Sequence, residues 1–151
     1  MPYSPPRPGW RITPDLVTSL AGEWQPYTPT VTNVSLGNGS VIARYQQGAN
    51  RVLVAYIVNW GSTTSGTTTP TLSVPVTPAS LGGMRWNGSL LISPGGGAAF
   101  RAGTTWLYDT STVITAGALV ASNGTLNTSL SAASITMAAG GWIMGSIEYE
   151  A

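Results

Sequence analysis

Residues 51–60 read RVLVAYIVNW, and they form the clearest strand pattern in the sequence. Its side chains alternate between two faces, as they do in a β-strand, where successive residues point to opposite sides of the sheet. One face carries Val52, Val54, Tyr56, Val58 and Trp60, and the other carries Leu53, Ala55, Ile57 and Asn59. Because both faces are mainly apolar, the pattern predicts a central strand that is covered on both sides.

Shorter runs of the same kind lie on either side of this strand. They are separated by the turn Gly37-Asn38-Gly39, by the pairs Asn87-Gly88 and Asn123-Gly124, which are turn or bulge signals, and by the glycine-rich loop 94–97. We predict strands at 41–45, 71–76, 89–92, 104–109, 112–115, 126–130 and 142–149. Many short strands between turns are typical of all-β proteins. We therefore expect residues 23–151 to form one antiparallel β-sandwich domain, jelly-roll-like in its architecture.

Residues 1–22 differ in composition from the rest of the chain. Prolines crowd the first eight residues and favour an extended arm, whereas Thr13-Pro14-Asp15 has the sequence of a helix start. A helix of about two turns is marginal alone in water. We therefore expect the segment to dock, either on its own domain or on a neighbouring subunit. The predicted anchoring residues are Pro5, Pro6, Pro8, Trp10, Leu16 and Leu20.

The composition disfavours most enzymatic chemistry. The chain of 151 residues has no cysteine, histidine or lysine, and its six arginines and five acidic residues leave a net charge of +1. It lacks the usual general base, the thiolate nucleophile and the commonest metal ligands, so we predict no catalytic residue, metal or cofactor. Six scattered arginines make no basic stripe for nucleic acid, and no apolar run suits a membrane span or a secretory signal.

The last predicted strand carries the one close pair of carboxylates, Glu148 and Glu150. A glycan-hydrolysing pair must flank a bond from opposite sides, at about 5–10 Å. These two residues share one face at the end of the chain, so we interpret them as a solvated chain end and the protein as not an enzyme. On the same strand, alternation puts Ile143, Ile147 and Tyr149 on one face and Trp142, Met144 and Glu148 on the other.

Six tryptophans and six tyrosines offer candidates for a binding surface. Trp60 and Trp142 lie in apolar strand contexts and are predicted to be core residues. Trp86, Trp106 and Tyr108 have polar, turn-rich neighbours, which favour exposure. These three are the candidates for a glycan-stacking platform, although large aromatic residues also dominate contacts between subunits, which is the stronger competing interpretation.

Five motifs, in order along the chain, resemble a recurrent module of tailed bacteriophages. They are WQPYTPT at 24–30, SLGNGS at 35–40 with ARY at 43–45, NWGSTT at 59–64, LSVPV at 72–76 and GSIEYEA at 145–151. The module reads roughly W-x-x-Y-T-P-T, S-L-G-N-G-T with G-R-Y, W-G-S-T-T, L-P-V and G-x-Y-E. The stretch RITPDL at 11–16 is similar to a segment that often precedes it, whereas Val31, Ser40 and Ala43 depart from the pattern.

Such modules occur in minor tail proteins. The resemblance therefore implies a non-enzymatic structural component of the virion, in the tail rather than on the capsid surface, assembled in the host cytoplasm with other virion proteins as partners. One alternative is a capsid decoration protein, and another is a module that recognises a host cell-surface glycan. Because so few charges are available for the surface, we also expect a homo-oligomer, a trimer or a ring.

Overall fold

The computed structural model of the chain describes residues 22–119, 126–127, 130 and 135–151, and these residues form an all-β domain without a helix. The strands are β1 (Trp24–Tyr27), β2 (Val31–Thr32), β3 (Ser40–Gln47), β4 (Arg51–Asn59), β5 (Thr71–Ser73), β6 (Arg85–Ser93), β7 (Arg101–Tyr108), β8 (Val113–Leu119), β9 (Leu126–Asn127) and β10 (Trp142–Glu150). Several sequence predictions lie outside the described residues: the arm, its helix, the turn Asn123-Gly124 and the anchoring residues Pro5, Pro6, Pro8, Trp10, Leu16 and Leu20.

Neighbouring strands pair antiparallel in one sheet. Their order is β1-β3-β4-β10-β6-β7-β8-β5-β2, and β9 pairs with β8 outside this path. β4 lies between β3 and β10 and pairs with both along nearly its whole length. The central strand predicted from residues 51–60 is therefore confirmed.

The sheet curls into a half-barrel. β1 and β2 stand at opposite ends of the strand order, yet only residues 28–30 separate them along the chain. Four backbone steps reach about 14 Å, so the two ends of the sheet must approach each other. Inside the curl, the Tyr56 hydroxyl of β4 donates a hydrogen bond to the Thr105 hydroxyl of β7 at 3.1 Å. A flat sheet would hold β4 and β7 about 14 Å apart, so this contact also requires the curvature.

The concave face of the half-barrel holds the core. Its buried side chains include Val52, Val54, Tyr56, Val58, Leu72, Leu90, Ile92, Leu107, Ile114, Ile143, Ile147 and Tyr149. On β10, the predicted alternation is confirmed, because Met144 and Glu148 are exposed on the opposite face. The convex face of β4 is less covered than predicted. Leu53, Ala55 and Ile57 are only half-buried there, since no second layer among the described residues packs on them.

One turn prediction is wrong, and one predicted strand, 71–76, is shorter than expected. Asn87-Gly88 lies within β6 and makes no turn, because the missing side chain of Gly88 lets the backbone of β10 approach closely. A Cβ at Gly88 would collide with the Ser146 carbonyl. β5 ends at Ser73, two residues before Pro75, which has no N–H to donate to a ladder. The loop predicted at 94–97 is present, and three consecutive glycines, 95–97, have positive φ there.

Candidate functional site

Trp106 is buried, although its neighbours along the chain are polar. It lies on the convex face of β7 with 9 % of its surface exposed. The guanidinium carbon of Arg85 lies 4.6 Å from its ring centroid, a cation–π geometry. On β8, Gly117 leaves room for the ring, because a Cβ there would overlap its outer carbons. The sequence-based expectation of exposure is therefore wrong for Trp106, since two residues distant in sequence cover it.

Trp86 and Tyr108 lie on opposite faces of the sheet. Tyr108 shares the convex face with Trp106, is 46 % exposed, and has the guanidinium carbon of Arg85 5.4 Å from its ring centroid. Trp86 is half-buried on the concave side, where its ring centroid lies 6.1 Å from that of Tyr149. The three aromatic candidates form no common platform. Only Tyr108 presents an exposed ring.

A shallow groove opens beside Trp86 at the edge of the domain. Trp86 and Tyr149 form its aromatic wall, and Arg51, Glu148 and Glu150 form its charged side. Arg51 pairs with Glu148 at 2.8 Å, but both side chains are more than half exposed, so the pair contributes at most about 1 kcal/mol. Arg51 was not among the site residues predicted from the sequence. Its place as the first residue of the predicted central strand was the only signal available.

Asp109 is the one buried carboxylate among the described residues. One of its oxygens accepts hydrogen bonds from the backbone N–H groups of Gly83, at 2.7 Å, and Leu81, at 2.9 Å. Backbone hydrogen bonds hold the pKa of Asp109 below its ordinary value of 3.8, although burial opposes this. The bond from Gly83 has the largest effect, and the N–H groups of Leu81, Met84 and Thr110 add to it. Asp109 therefore fastens the loop before β6, and a carboxylate with this environment is a poor general acid.

Acid should weaken the fold partly through Asp109. A carboxyl group whose pKa is lowered in the folded state stabilises the protein above its unfolded pKa and loses that contribution as the pH falls through the folded value. We expect the free energy of unfolding to decrease as the pH drops below about 4. In Asp109→Asn this part of the decrease should be missing. Urea unfolding at a series of pH values checks both statements, and parallel pH profiles of parent and variant would contradict the assignment.

The concave face also carries tyrosines whose hydroxyl groups stay neutral at physiological pH. Burial raises the pKa of Tyr56 to about 12, with only partial relief from its hydrogen bond to Thr105. Burial also raises the pKa of Tyr149 to about 12, and the pKa of Tyr27 rises further still. The Tyr27 hydroxyl has no hydrogen-bond partner among the described residues. Hydroxyl groups of this kind serve packing and are unsuited to proton transfer near neutral pH.

Two of the bacteriophage-like motifs meet in space. Asn38, in the SLGNGS segment, accepts hydrogen bonds from the backbone N–H and the hydroxyl of Thr63, both at 2.9 Å, and donates one to Ser62 at 3.0 Å. The backbone N–H of Asn38 donates in return to the Thr63 hydroxyl at 2.9 Å. A Cβ at Gly37 or Gly61 would collide with the opposite segment. This loop junction, residues 35–39 against 61–65, explains why both segments need their glycine, asparagine and threonine residues.

The remaining motifs close the curled sheet. In the WQPYTPT segment, the Thr30 carbonyl accepts a hydrogen bond from the Ser73 N–H at 3.0 Å. The Thr30 N–H donates in return to the Ser73 hydroxyl at 2.9 Å. Ser73 belongs to the LSVPV segment. In the last segment, the Tyr149 hydroxyl donates to the Val76 carbonyl at 2.8 Å. The motif residues thus hold strands and loops together, and none of these contacts forms a reactive centre.

Neither a metal centre, nor a membrane helix, nor a known relative accounts for the described residues. No group of three or more metal-ligating residues gathers in the part of the chain that the structure describes. The described segments include no helix with the length and apolar character of a membrane span. No protein-family model, curated protein or solved structure matches the chain.

Proposed function

We propose that this protein is a non-enzymatic structural component of a tailed-bacteriophage virion, a minor tail protein that displays a β domain. The main support for this proposal is the loop junction between residues 35–39 and 61–65, where Asn38 and Thr63 exchange hydrogen bonds. These two segments resemble motifs of one bacteriophage module. Their mutual contact supports the view that the resemblance extends to a shared local structure.

The chemistry of the described residues supports a structural role. Asp109 is occupied by backbone N–H groups, and Glu148 is paired with Arg51. The interior tyrosines have raised pKa values, as for Tyr56 at about 12. These groups are engaged in holding the domain together, which supports a structural role.

We further propose that the half-barrel is a variant of the jelly-roll-like sandwich expected from the sequence. In this interpretation, two halves of one curled sheet face each other across the core. The hydrogen bond from Tyr149 on β10 to the Val76 carbonyl, in the segment after β5, supports it. In the strand order, β10 is near the middle and β5 is near one end. Because the hydrogen bond joins these two parts of the sheet, they face each other across the core.

In the virion, residues 1–22 would attach the protein to its neighbours in the tail, with Pro5, Pro6, Pro8, Trp10, Leu16 and Leu20 as the anchoring residues. The domain at 23–151 would face outward. Other virion proteins and further copies of the chain, in a trimer or a ring, are the proposed partners.

Electron microscopy of the phage that encodes this chain tests the proposal directly. Gold-labelled antibodies raised against the purified protein should bind the tails of intact particles, and mass spectrometry of purified particles should detect the chain. Label on the head would favour the decoration protein instead. Particles that contain none of the protein would refute the virion assignment altogether.

Recognition of a host cell-surface glycan is the second candidate function, and one observation favours it. The groove beside Trp86 combines an aromatic wall with Arg51, Glu148 and Glu150, which can donate and accept hydrogen bonds to sugar hydroxyls. Binding of host cell-wall fragments that Arg51→Ala weakens, with an unchanged melting temperature, would support this role. A parent protein that binds no such fragment would remove it.

A further inference from the structure

The convex face of the half-barrel carries an apolar surface that no described residue covers. We call it the convex apolar face and define it by six outward side chains: Trp24 of β1, Ile42 of β3, Leu53, Ala55 and Ile57 of β4, and Met144 of β10. Ile42 is 59 % exposed and Trp24 is 44 % exposed. Ala55, the smallest of the six, lies in a shallow depression of about 260 Å³ between Ile42, Ile57 and Met144.

The chain enters the domain at one end of this face. Gln46 stands between Trp24 and Leu53 in the ladders, so its side chain points to the same side of the sheet. Its side-chain amide donates a hydrogen bond to the Gly22 carbonyl at 2.9 Å. This bond holds the backbone before β1 on the convex side. Residues 1–21 therefore join the domain next to Trp24 and Leu53.

Gly22 has the backbone conformation of a glycine that ends a helix. Its φ is +71°, in the left-handed region that the residue after a helix commonly adopts. A Cβ at this position would also collide with the Gln47 carbonyl, so the site requires glycine. The sequence predicts a helix that begins at Thr13-Pro14-Asp15, and a helix over residues 14–21 would end directly before Gly22.

The side chains of this predicted helix fit a flat apolar support. Helical spacing puts Leu16, Val17 and Leu20 on one side and Asp15 and Thr18 on the opposite side. Leu16 and Leu20 would lie about 6 Å apart along the helix axis, close to the roughly 7 Å between successive outward residues of a strand. Eight helical residues extend about 12 Å, and β4 covers about 13 Å between Leu53 and Ile57.

We propose that residues 14–21 form a helix that packs on the convex apolar face of their own chain. With Gly22 held by Gln46, Leu20 lies over Leu53, and Leu16 lies over the depression at Ala55. Arg44 lines this depression, and its long side chain can reach solvent beside the helix. The same chain is the occupant because the helix, counted back from Gly22, has the length of the face. The helix of another copy would first have to leave its own Gly22 and cross to this domain.

This docking assigns separate tasks to the two parts of residues 1–22. Leu16 and Leu20 anchor the segment to its own domain. Pro5, Pro6, Pro8 and Trp10 precede the helix and remain available to neighbouring proteins. The inference rests on Gly22, Gln46 and the convex apolar face, and it holds or fails independently of the assignment to a virion.

Thiol labelling of the full chain tests the docking, because a chain without cysteine carries one introduced thiol at a time. Ile42 and Phe100 are matched positions, since the described residues leave them 59 % and 64 % exposed. Ile42→Cys should nevertheless react about tenfold more slowly than Phe100→Cys, because a covered thiol reacts only when the helix opens locally. Adding Leu16→Asp and Leu20→Asp should abolish the difference. Thr18→Asp, on the outer side of the helix, is the control and should preserve it.

The labelling rates should not change with protein concentration, because the helix and the face belong to one chain. Protection that is lost on dilution would show that the helix of another copy covers the face, and this would overturn the proposal. Equally rapid labelling of both thiols in the full chain would also overturn it. So would protection that survives Leu16→Asp and Leu20→Asp, since something other than this helix would then be the cover.

Hydrogen exchange of the unaltered chain provides a second measurement that depends on no substitution. A helix of two turns is marginal alone in water, so the amides of residues 18–21 should exchange about tenfold or more slowly in the full chain than in a synthetic peptide of residues 1–22. Exchange at the rate of the free peptide would refute the docked helix.

Discussion

Replacing Trp106 by alanine should lower the free energy of unfolding by about 3–5 kcal/mol, the range for removing a large buried aromatic residue. The ring fills the space above Gly117 and underlies the Arg85 guanidinium, so its removal leaves a cavity on the convex face and an arginine without its aromatic partner. Urea unfolding of the parent and of Trp106→Ala gives the difference.

Tyr108→Ala is the matched control, because Tyr108 lies two residues further along the same face but is 46 % exposed. We expect a change of about 1 kcal/mol or less. Equal losses for the two variants would contradict the assignment of Trp106 as a packing residue and Tyr108 as a surface residue. Because Tyr108 contributes little to stability, Tyr108→Ala also reports cleanly on any glycan that stacks on this exposed ring.

The features predicted well from the sequence are those that alternation alone determines. In β4 and β10, apolar residues recur every second position, so the faces of Val54 or Ile147 can be assigned without knowing their partners. The same alternation also indicated a central strand. It did not reveal that Ile57 and its neighbours lack a covering layer among the described residues, because the pattern records how apolar a face is and not what packs on it.

The curvature of the sheet could not be predicted in this way. It depends on which strands become neighbours, and the ends of the sheet are joined through residues 28–30, whose sequence gives no sign of the closure. Asn87-Gly88 was misassigned for a related reason. The dipeptide is a common turn signal, but here Gly88 allows a close approach of β10, which is far away in sequence.

The candidate site was predicted only in part, for the same physical reason. Polar neighbours along the chain indicated exposure for Trp106, whereas the Arg85 guanidinium lies over its ring and Gly117 on the next strand leaves space for it. Asp109 was isolated in sequence, and its partners are backbone N–H groups of a loop more than twenty residues earlier. Contacts between strands and loops decide both environments, and no local pattern encodes them.

Tyr56 should be as important for stability as Trp106. It is buried on β4, its ladder partner is Gly145 on β10, and its hydroxyl reaches Thr105 on β7. We expect Tyr56→Ala to cost about 3–5 kcal/mol. Tyr56→Phe keeps the ring and loses the hydrogen bond to Thr105, so it should cost about 1 kcal/mol. A similar loss in both variants would show that the hydroxyl, and not the ring, is the important part.

Gly145 provides the space that the Tyr56 ring occupies, and this makes the two residues energetically coupled. A Cβ at Gly145 would lie 2.6 Å from the Tyr56 hydroxyl oxygen and 2.8 Å from the ring carbon that bears it. Gly145→Ala should therefore cost about 1–3 kcal/mol through overpacking, despite the entropic advantage of alanine over glycine in a strand. In the Tyr56→Ala background the same substitution should cost much less, although the Ser89 carbonyl, 2.9 Å from that Cβ, keeps part of the penalty. If the two costs add within about 0.5 kcal/mol in the double-mutant cycle, the ring and the glycine are independent. The packing of Tyr56 would then not be the reason for a glycine at position 145.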